Sequence, residues 1–487
     1  MAKIIVSQKI LDGKHTSLPE ASSLWGFWWS AILLLRPAFS HARTFMWFAV
    51  IVAGLTVGTD MLGVTSIIRA LKLHPRCYDS LLKHFHSEGV RIDSLAALWG
   101  KVVALQLFAD KQVRVGGRRV LVGDGIKIPK RGKKMPAVKL VHQESDNKAE
   151  YAMAHSLQAV SMLVYAGEGV MAVPLAVRIH EGVVWCNAVK QTLLTKMLDL
   201  LGLVAGDDPY IFVADAYYAA GTIIKGLLKN GNHLVTRMKS NAVAYTPHVH
   251  QGPRKRGRPK IYGQRIELAS LFKERKNFRQ VASPVYGEKN VTLQYLVRDL
   301  LWKPAGRIVR FIAVIHPERG RLVLMSTDTT LEYIEVIRLY GLRFKLEYSF
   351  KQAVHTIGTF SYHFWMQMMT PLKRHGGNQY LHRKPVDYRE AVARKIHAYH
   401  AFMQAGVIAH GLLQYLSATH PRFVWNSFGS WLRTIRPGVS PSEFVVAEAL
   451  RQSLPYFLLC SADQHVFTKF IVERQGIENA EMLGTAA

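Results

Sequence analysis

A chain of 487 residues in which 63 Lys and Arg face 34 Asp and Glu carries a formal net charge of +29, a bias that calls for a polyanionic partner, nucleic acid ahead of a membrane surface. The length allows a large core and two to four domains. Three cysteines, Cys77, Cys186 and Cys460, are too scattered for a disulfide framework or a thiolate zinc site, and none of the 21 histidines forms an H-x3-H or H-E-x-x-H pair with cysteine support, so a reducing compartment is expected.

Met1 to Lys9 lacks the apolar run and small-residue cleavage site of a signal peptide, which predicts a protein that stays inside the cell. The most apolar segments, Leu24 to Leu35 and Phe45 to Val57, fall short of the roughly 18 residues needed to span hydrocarbon and read as core helices with no membrane partner. Between Ser23 and Leu107 several helices are predicted. Two of them, Gly63 to Leu71 and Tyr78 to Phe85, flank a turn at Pro75; the pair is either a helix-turn-helix reading the major groove or a bundle that packs on the next domain.

From Arg118 the pattern turns to strands, at Val120 to Gly123, Leu157 to Val164 and Met171 to Ile179, then to alternating helices and strands through Met238. Such an order predicts an α/β domain, a mixed sheet flanked by helices. Two short apolar strands end in an aspartate: Val120-Leu121-Val122-Gly123 leads to Asp124, and Tyr210-Ile211-Phe212-Val213-Ala214 leads to Asp215. Just after Asp124 comes a basic stretch with Lys127, Lys130 and Arg131, read as a loop that brings phosphate-neutralising charge to the chemical centre. Residues 241 to 328 look inserted. They open on Arg254-Lys255-Arg256-Gly257-Arg258-Pro259, where Arg256 and Arg258 suit a narrow minor groove or form a plain basic linker. Alternating apolar residues then mark strands at Val291 to Val297, Val309 to Ile315 and Arg321 to Met325.

In the stretch from Leu339 to Lys351, helical spacing places Leu339, Leu342, Leu346 and Phe350 on one side and Tyr340, Arg343, Glu347 and Lys351 on a stripe beside it. Alone this reads as a salt-bridged amphipathic helix. With two strand-end aspartates upstream, the third carboxylate completes a set that suits a divalent metal.

The spacing Tyr-x2-Arg-x3-Glu, with Asp124 and Asp215 ahead of it, resembles the DDE transposases of bacterial insertion sequences, and within them the cut-and-paste group that carries a β-rich insertion. The resemblance runs from about residue 30 to about residue 415. It implies an RNase H-like sheet interrupted by the insertion and preceded by a helical DNA-binding region. The chain would divide into an end-binding region (1–112), a catalytic core in two parts (113–240 and 329–415), the insertion (241–328) and a C-terminal helical region (416–487). Implied with it are two Mg²⁺ ions, with Mn²⁺ able to substitute: Asp124 bridges them, Asp215 holds one and Glu347 the other. Tyr340 and Arg343 map to phosphate contacts near the cleaved end. The family's lysine seven residues after the glutamate is Val354 here; Lys351 and His355 are the nearest replacements. Trp302 is a candidate for stacking a flipped base, against an ordinary packing role. The implied partners are double-stranded DNA, as transposon ends and target, and a second copy of the chain in a homodimer; the implied place is the bacterial cytoplasm, at the nucleoid. The rival expectation is a related nuclease or a domesticated, catalytically idle DNA-binding protein.

Overall fold

A computed structural model of the chain describes residues 23–145, 148–187, 191–249, 260–373, 375–429, 431, 433–460 and 465–476. Five helices come first: α1 (Leu24–Leu33), α2 (Ala42–Val57), α3 (Val64–Ala70), α4 (Cys77–His86) and α5 (Ile92–Val102). Strands follow at β1 (Arg114–Val115), β2 (Arg118–Pro129), β3 (Lys139–Ser145), β4 (Lys148–Ala166), β5 (Gly169–Ile179) and β6 (Val183–Val184). Then come α6 (Leu193–Ala205), β7 (Tyr210–Ala214), α7 (Gly221–Lys229) and β8 (His233–Arg237). The next strands are β9 (Val243–Pro247), β10 (Tyr262–Glu267), β11 (Arg279–Ala282), β12 (Thr292–Trp302), β13 (Arg307–His316) and β14 (Gly320–Ser326). The chain closes with α8 (Tyr333–Leu342), α9 (Phe344–Gln352), β15 (Gln379–Tyr380), α10 (Val386–Thr419), α11 (Pro421–Ser427), α12 (Glu443–Cys460) and α13 (Val466–Val472).

Among the described residues one sheet holds 13 strands. At its centre the order is β5-β4-β2-β7-β8, antiparallel from β5 to β2 and parallel from β2 through β7 to β8. This arrangement is compatible with the RNase H-like sheet implied by the resemblance. The apolar runs of β2 and β7 bury both faces, as strands covered on two sides do: Leu121 and Phe212 enter one core, Val120, Val122, Ile211 and Val213 the other. The second core is roofed by Val336, Ile337, Leu339, Leu342 and Leu346 of α8 and α9.

The first core runs from Leu24 to Ile471 and gathers the N-terminal helices, α10 and α12 into one cluster. In α2 every residue from Phe45 to Val57 is buried, as befits a helix apolar on all sides. It packs against α10 and α12. The two apolar N-terminal segments are thus core helices, and no helix among the described residues is long and apolar enough to cross a membrane. The helix pair at α3 and α4 also rests on the body of the protein: α4 buries Cys77, Leu81, His84 and Phe85 and packs on α10. The turn between them is tied to the C-terminal end by a bond from the His74 amide to the Arg474 carbonyl at 2.7 Å.

The strands of residues 241–328 do not build a sheet of their own. β14 pairs antiparallel with β8, Met325 opposite Thr236, so these strands prolong the sheet that carries the two aspartates. Two further differences concern the basic stretch after Asp124. It is not a loop from Lys127 onward, because β2 runs on to Pro129, paired with β4, and β3 pairs with the other edge of β4.

Candidate active site

Asp124 lies within β2 and Asp215 immediately follows β7. The strands are parallel with Val122 opposite Val213, so two residues further on each chain brings Asp124 beside Asp215, about one strand spacing of 4.8 Å across. The residue before Asp124 has to be glycine: a Cβ on Gly123 would lie 2.7 Å from Cε2 of Phe212, a separation that packed carbon atoms do not tolerate. Asp124 Oδ1 accepts from the Gly125 amide at 2.7 Å. Asp215 caps the turn that follows it, its Oδ1 accepting from the Tyr217 amide at 3.0 Å, while the Thr236 hydroxyl of β8 donates to the Asp215 carbonyl at 2.7 Å. Beneath them, Gln158 of β4 donates to the Tyr218 hydroxyl at 3.3 Å.

Glu347 reaches the same place from α9. The single helix predicted over 339–351 is two helices meeting at Arg343, which ends α8 and opens α9. The Arg343 guanidinium joins the acids: Nη1 donates to Asp124 Oδ2 at 2.9 Å and Nη2 to Glu347 Oε1 at 2.7 Å. Charge-assisted bonds of this length fix orientation strongly. Arg343 also lies 6.0 Å from the ring centre of Tyr340, whose phenol burial holds above its ordinary pKa.

Burial pushes the Asp124 carboxyl up to about 6, and the neighbouring Asp215 charge pushes in the same direction, against the Gly125 amide and Arg343. Asp215 is raised as well, chiefly by burial. Two half-buried carboxylates driven upward beside each other are a site short of positive charge. Three carboxylates offer hard oxygen donors of the kind that hold Mg²⁺ or Mn²⁺, so the donor chemistry fits a divalent ion. The described residues, however, include no group of three His, Cys, Asp or Glu drawn close enough to ligate one. Arg343 stands between Asp124 and Glu347 and supplies a single positive charge in that place.

The other sequence candidates are placed as follows. Lys351 is exposed one turn beyond Glu347, and the glutamate pairs with Arg343 rather than with it. The Lys127 ammonium donates to the His142 carbonyl. Arg131 is exposed. Lys130 is corrected: it is 6% exposed, and its ammonium donates to the Phe360 carbonyl and, at 3.1 Å, to the Tyr362 carbonyl, so it does not reach a phosphate. Trp302 is corrected too: at 5% exposure it belongs to the first core and offers no face to a base. Arg256 and Arg258 lie outside the described residues. The bridging role of Arg343 was missed, although its i, i+4 spacing to Glu347 was visible. Gln158 and Tyr218 were also missed; a glutamine inside an apolar strand was the available signal for the first.

The Lys130 correction has a measurable side. Lys130→Met is expected to destabilise the fold by about 1–3 kcal/mol, the cost of leaving two buried carbonyls without a donor, and to leave DNA affinity within about twofold. Denaturant melts and a DNA titration check it; a tenfold loss of DNA affinity at unchanged stability would return Lys130 to the phosphate contacts.

Comparison with known proteins adds one finding. No curated protein matches the chain. The family model described as DDE superfamily endonuclease matches residues 34–300, more than half of the sequence, a span that takes in the last N-terminal helices, Asp124 and Asp215 and stops short of Glu347. Two aspartates on adjacent parallel strands, a glutamate brought to them by a helix, and this match agree: the chain belongs to the DDE superfamily endonucleases.

Proposed function

We propose that the protein is a DNA transposase that binds the inverted-repeat ends of its own insertion sequence, cuts them, and joins the freed 3′ ends to target DNA, working as a homodimer on double-stranded DNA. The observation that carries this reading is the meeting of Asp124 and Glu347 on the two arms of Arg343, with Asp215 on the next strand. Asp124, Asp215 and Glu347 would hold Mg²⁺ or Mn²⁺, which supplies activation of the attacking oxygen and charge stabilisation of the leaving one. With Asp124 titrating at about 6, that carboxyl is largely ionised at neutral pH. Arg343 is then the residue that changes partner, leaving the carboxylates and turning, with Tyr340 beside it, to the phosphate of the cut strand. Lys351 lies one turn further along the same helix face and extends that cationic edge.

The net charge of +29 supports DNA as the substrate, because neutralised phosphates release counterions. Binding to an arbitrary duplex is expected to weaken with salt at a log–log slope of about −0.9 per phosphate contacted, hence steeper than about −5 for six contacts. Fluorescence anisotropy at rising NaCl measures it, and a slope near zero would remove nucleic acid as the partner.

A further inference from the structure

Lys130 is buried where the chemistry above gives its charge no role. It sits just past the end of β2, its amide donating to the Met153 carbonyl at 2.9 Å, and its side chain turns into the protein. Of the three N–H groups of an ammonium, two go to the Phe360 and Tyr362 carbonyls. Among the described residues no carboxylate pairs with it, and burial pulls the ammonium down to about 7 with no nearby acid to oppose it. A charge taken out of water without a counter-ion is costly, and two carbonyl dipoles offset only part of that cost.

A small cavity adjoins the ammonium, and Lys130, His155, Thr359, Tyr362 and Tyr399 contribute to its wall. The hydroxyls of Thr359 and Tyr362 are buried and have no hydrogen-bond partner among the described residues. The other two polar side chains give their protons elsewhere: Tyr399 donates to the Phe364 carbonyl at 2.8 Å, and His155 Nε2 to the Pro136 carbonyl at 2.9 Å. His155 adds no charge, because burial, with Lys130 close by, holds it down at about 3. The cavity thus offers one spare N–H, two free hydroxyls and an uncompensated positive charge. A cation is repelled from such a place, and a water molecule would satisfy the hydroxyls but not the charge. There is room for about one water-sized particle, which admits a halide and excludes phosphate, sulfate or any part of a nucleotide. The location is also specific. Beyond α9 the chain passes through a helical turn over Ala353–Ile357 to Gly358, at a φ of 69°. Thr359 then presses onto α10, where Gly406 leaves it room: a Cβ there would lie 2.8 Å from the Thr359 hydroxyl. The two hydroxyls therefore belong to the strap that leads out of the helix carrying Glu347, and Lys130 to the end of the strand carrying Asp124.

We infer that Lys130, Thr359 and Tyr362 enclose a binding site for one small monovalent anion of chloride size, which neutralises the buried ammonium and pins the strap of residues 358–362 to the end of β2. The inference is independent of the DNA reading. Its rival is an amine that has shed its proton and accepts a hydrogen bond from one of the hydroxyls, an arrangement that needs no ion. The test uses the full chain without DNA, melted at constant ionic strength as chloride replaces gluconate. Wild type is expected to melt about 2 °C higher by about 100 mM chloride, since an ion bound only by the folded state stabilises it by mass action. A surface with a net charge of +29 also gathers chloride loosely, so the variants decide. Thr359→Val, which keeps the shape and removes the hydroxyl, is expected to lose most of the rise, and Lys130→Met all of it. Wild-type crystals grown in bromide are expected to show an anomalous scattering peak beside the Lys130 ammonium. If Lys130→Met does not fold, Thr359→Val and the bromide map carry the test. Absence of a chloride-dependent rise in wild type would establish the neutral amine and overturn the site. A rise of equal size in Thr359→Val would belong to the surface, and a bromide peak without any rise would be an adventitious ion only; either result also overturns it.

Discussion

Replacing Asp124 or Asp215 by Asn, or Glu347 by Gln, is expected to lower metal-dependent strand cleavage by more than about 1000-fold, a barrier increase of about 4 kcal/mol. The amide keeps the shape of the side chain and discards the charge that a hard divalent ion needs. Folding should survive all three changes, and at Asp124 it should gain. The folded carboxyl of Asp124 binds its proton up to about 6, against an ordinary 3.8, so ionising it works against the folded state. This group's penalty is absent below pH 3.8, grows as pH rises through that window and is complete above about 6. In metal-free buffer, Asp124→Asn should therefore melt higher than wild type at pH 7 and lose that advantage as the pH falls toward 4. Calorimetry across pH and a cleavage time course measure the two effects. Cleavage by any one variant within about tenfold of wild type would take that residue out of the site.

Arg343→Ala should move two quantities in opposite directions. Its guanidinium bonds to both Asp124 and Glu347, and a divalent ion needs the same oxygens, so removing the arginine should tighten Mn²⁺ binding several-fold. Cleavage should fall by about 100-fold or more if, as proposed above, Arg343 turns to the phosphate of the cut strand, which would then lose a positioned bidentate donor. Lys at this position should restore little of the rate, since an ammonium cannot span two acceptors as a planar fork does. Mn²⁺ titration followed by electron paramagnetic resonance, beside the cleavage assay, separates the effects. Weaker Mn²⁺ binding in Arg343→Ala would show that the arginine organises the carboxylates for the ion instead of competing with it.

Much of this site could be read from the residues because its parts are local. Val120 to Val122 and Tyr210 to Ala214 are apolar without interruption, which only two-sided burial explains, and the second runs directly into Asp215 while the first reaches Asp124 across Gly123. The Arg343 to Glu347 spacing is one helical turn. What could not be read depends on pairings distant in sequence. Lys130 sits in a run of basic residues and looks like its neighbours; the carbonyls that claim it lie 230 and 232 positions away. Trp302, at the end of a strand, has the same one-letter surroundings whether it faces solvent or core. Of the strands in 241–328, β12, β13 and β14 were legible from their alternating apolar residues, but not β9, β10 and β11, nor that β14 would dock on β8, because hydrogen-bond partners across a sheet leave no periodic trace. The break at Arg343 was hidden as well, since its backbone stays helical, at φ −53° and ψ −36°.

The burial of α2 beneath α10 and α12 imposes a timetable on biosynthesis. Its apolar surface, Phe45 to Val57, leaves the ribosome about 330 residues ahead of α10, or on the order of 20 to 60 seconds at ordinary bacterial elongation rates. Through that interval a helix greasy on every side has no final cover. The nascent chain is thus a natural client for chaperones that shield apolar segments, and a protein truncated before α10 is expected to aggregate before it can meet DNA. On the transposase reading proposed above, movement of the element would then be restrained by how often the chain completes folding, a brake that acts before any catalytic step.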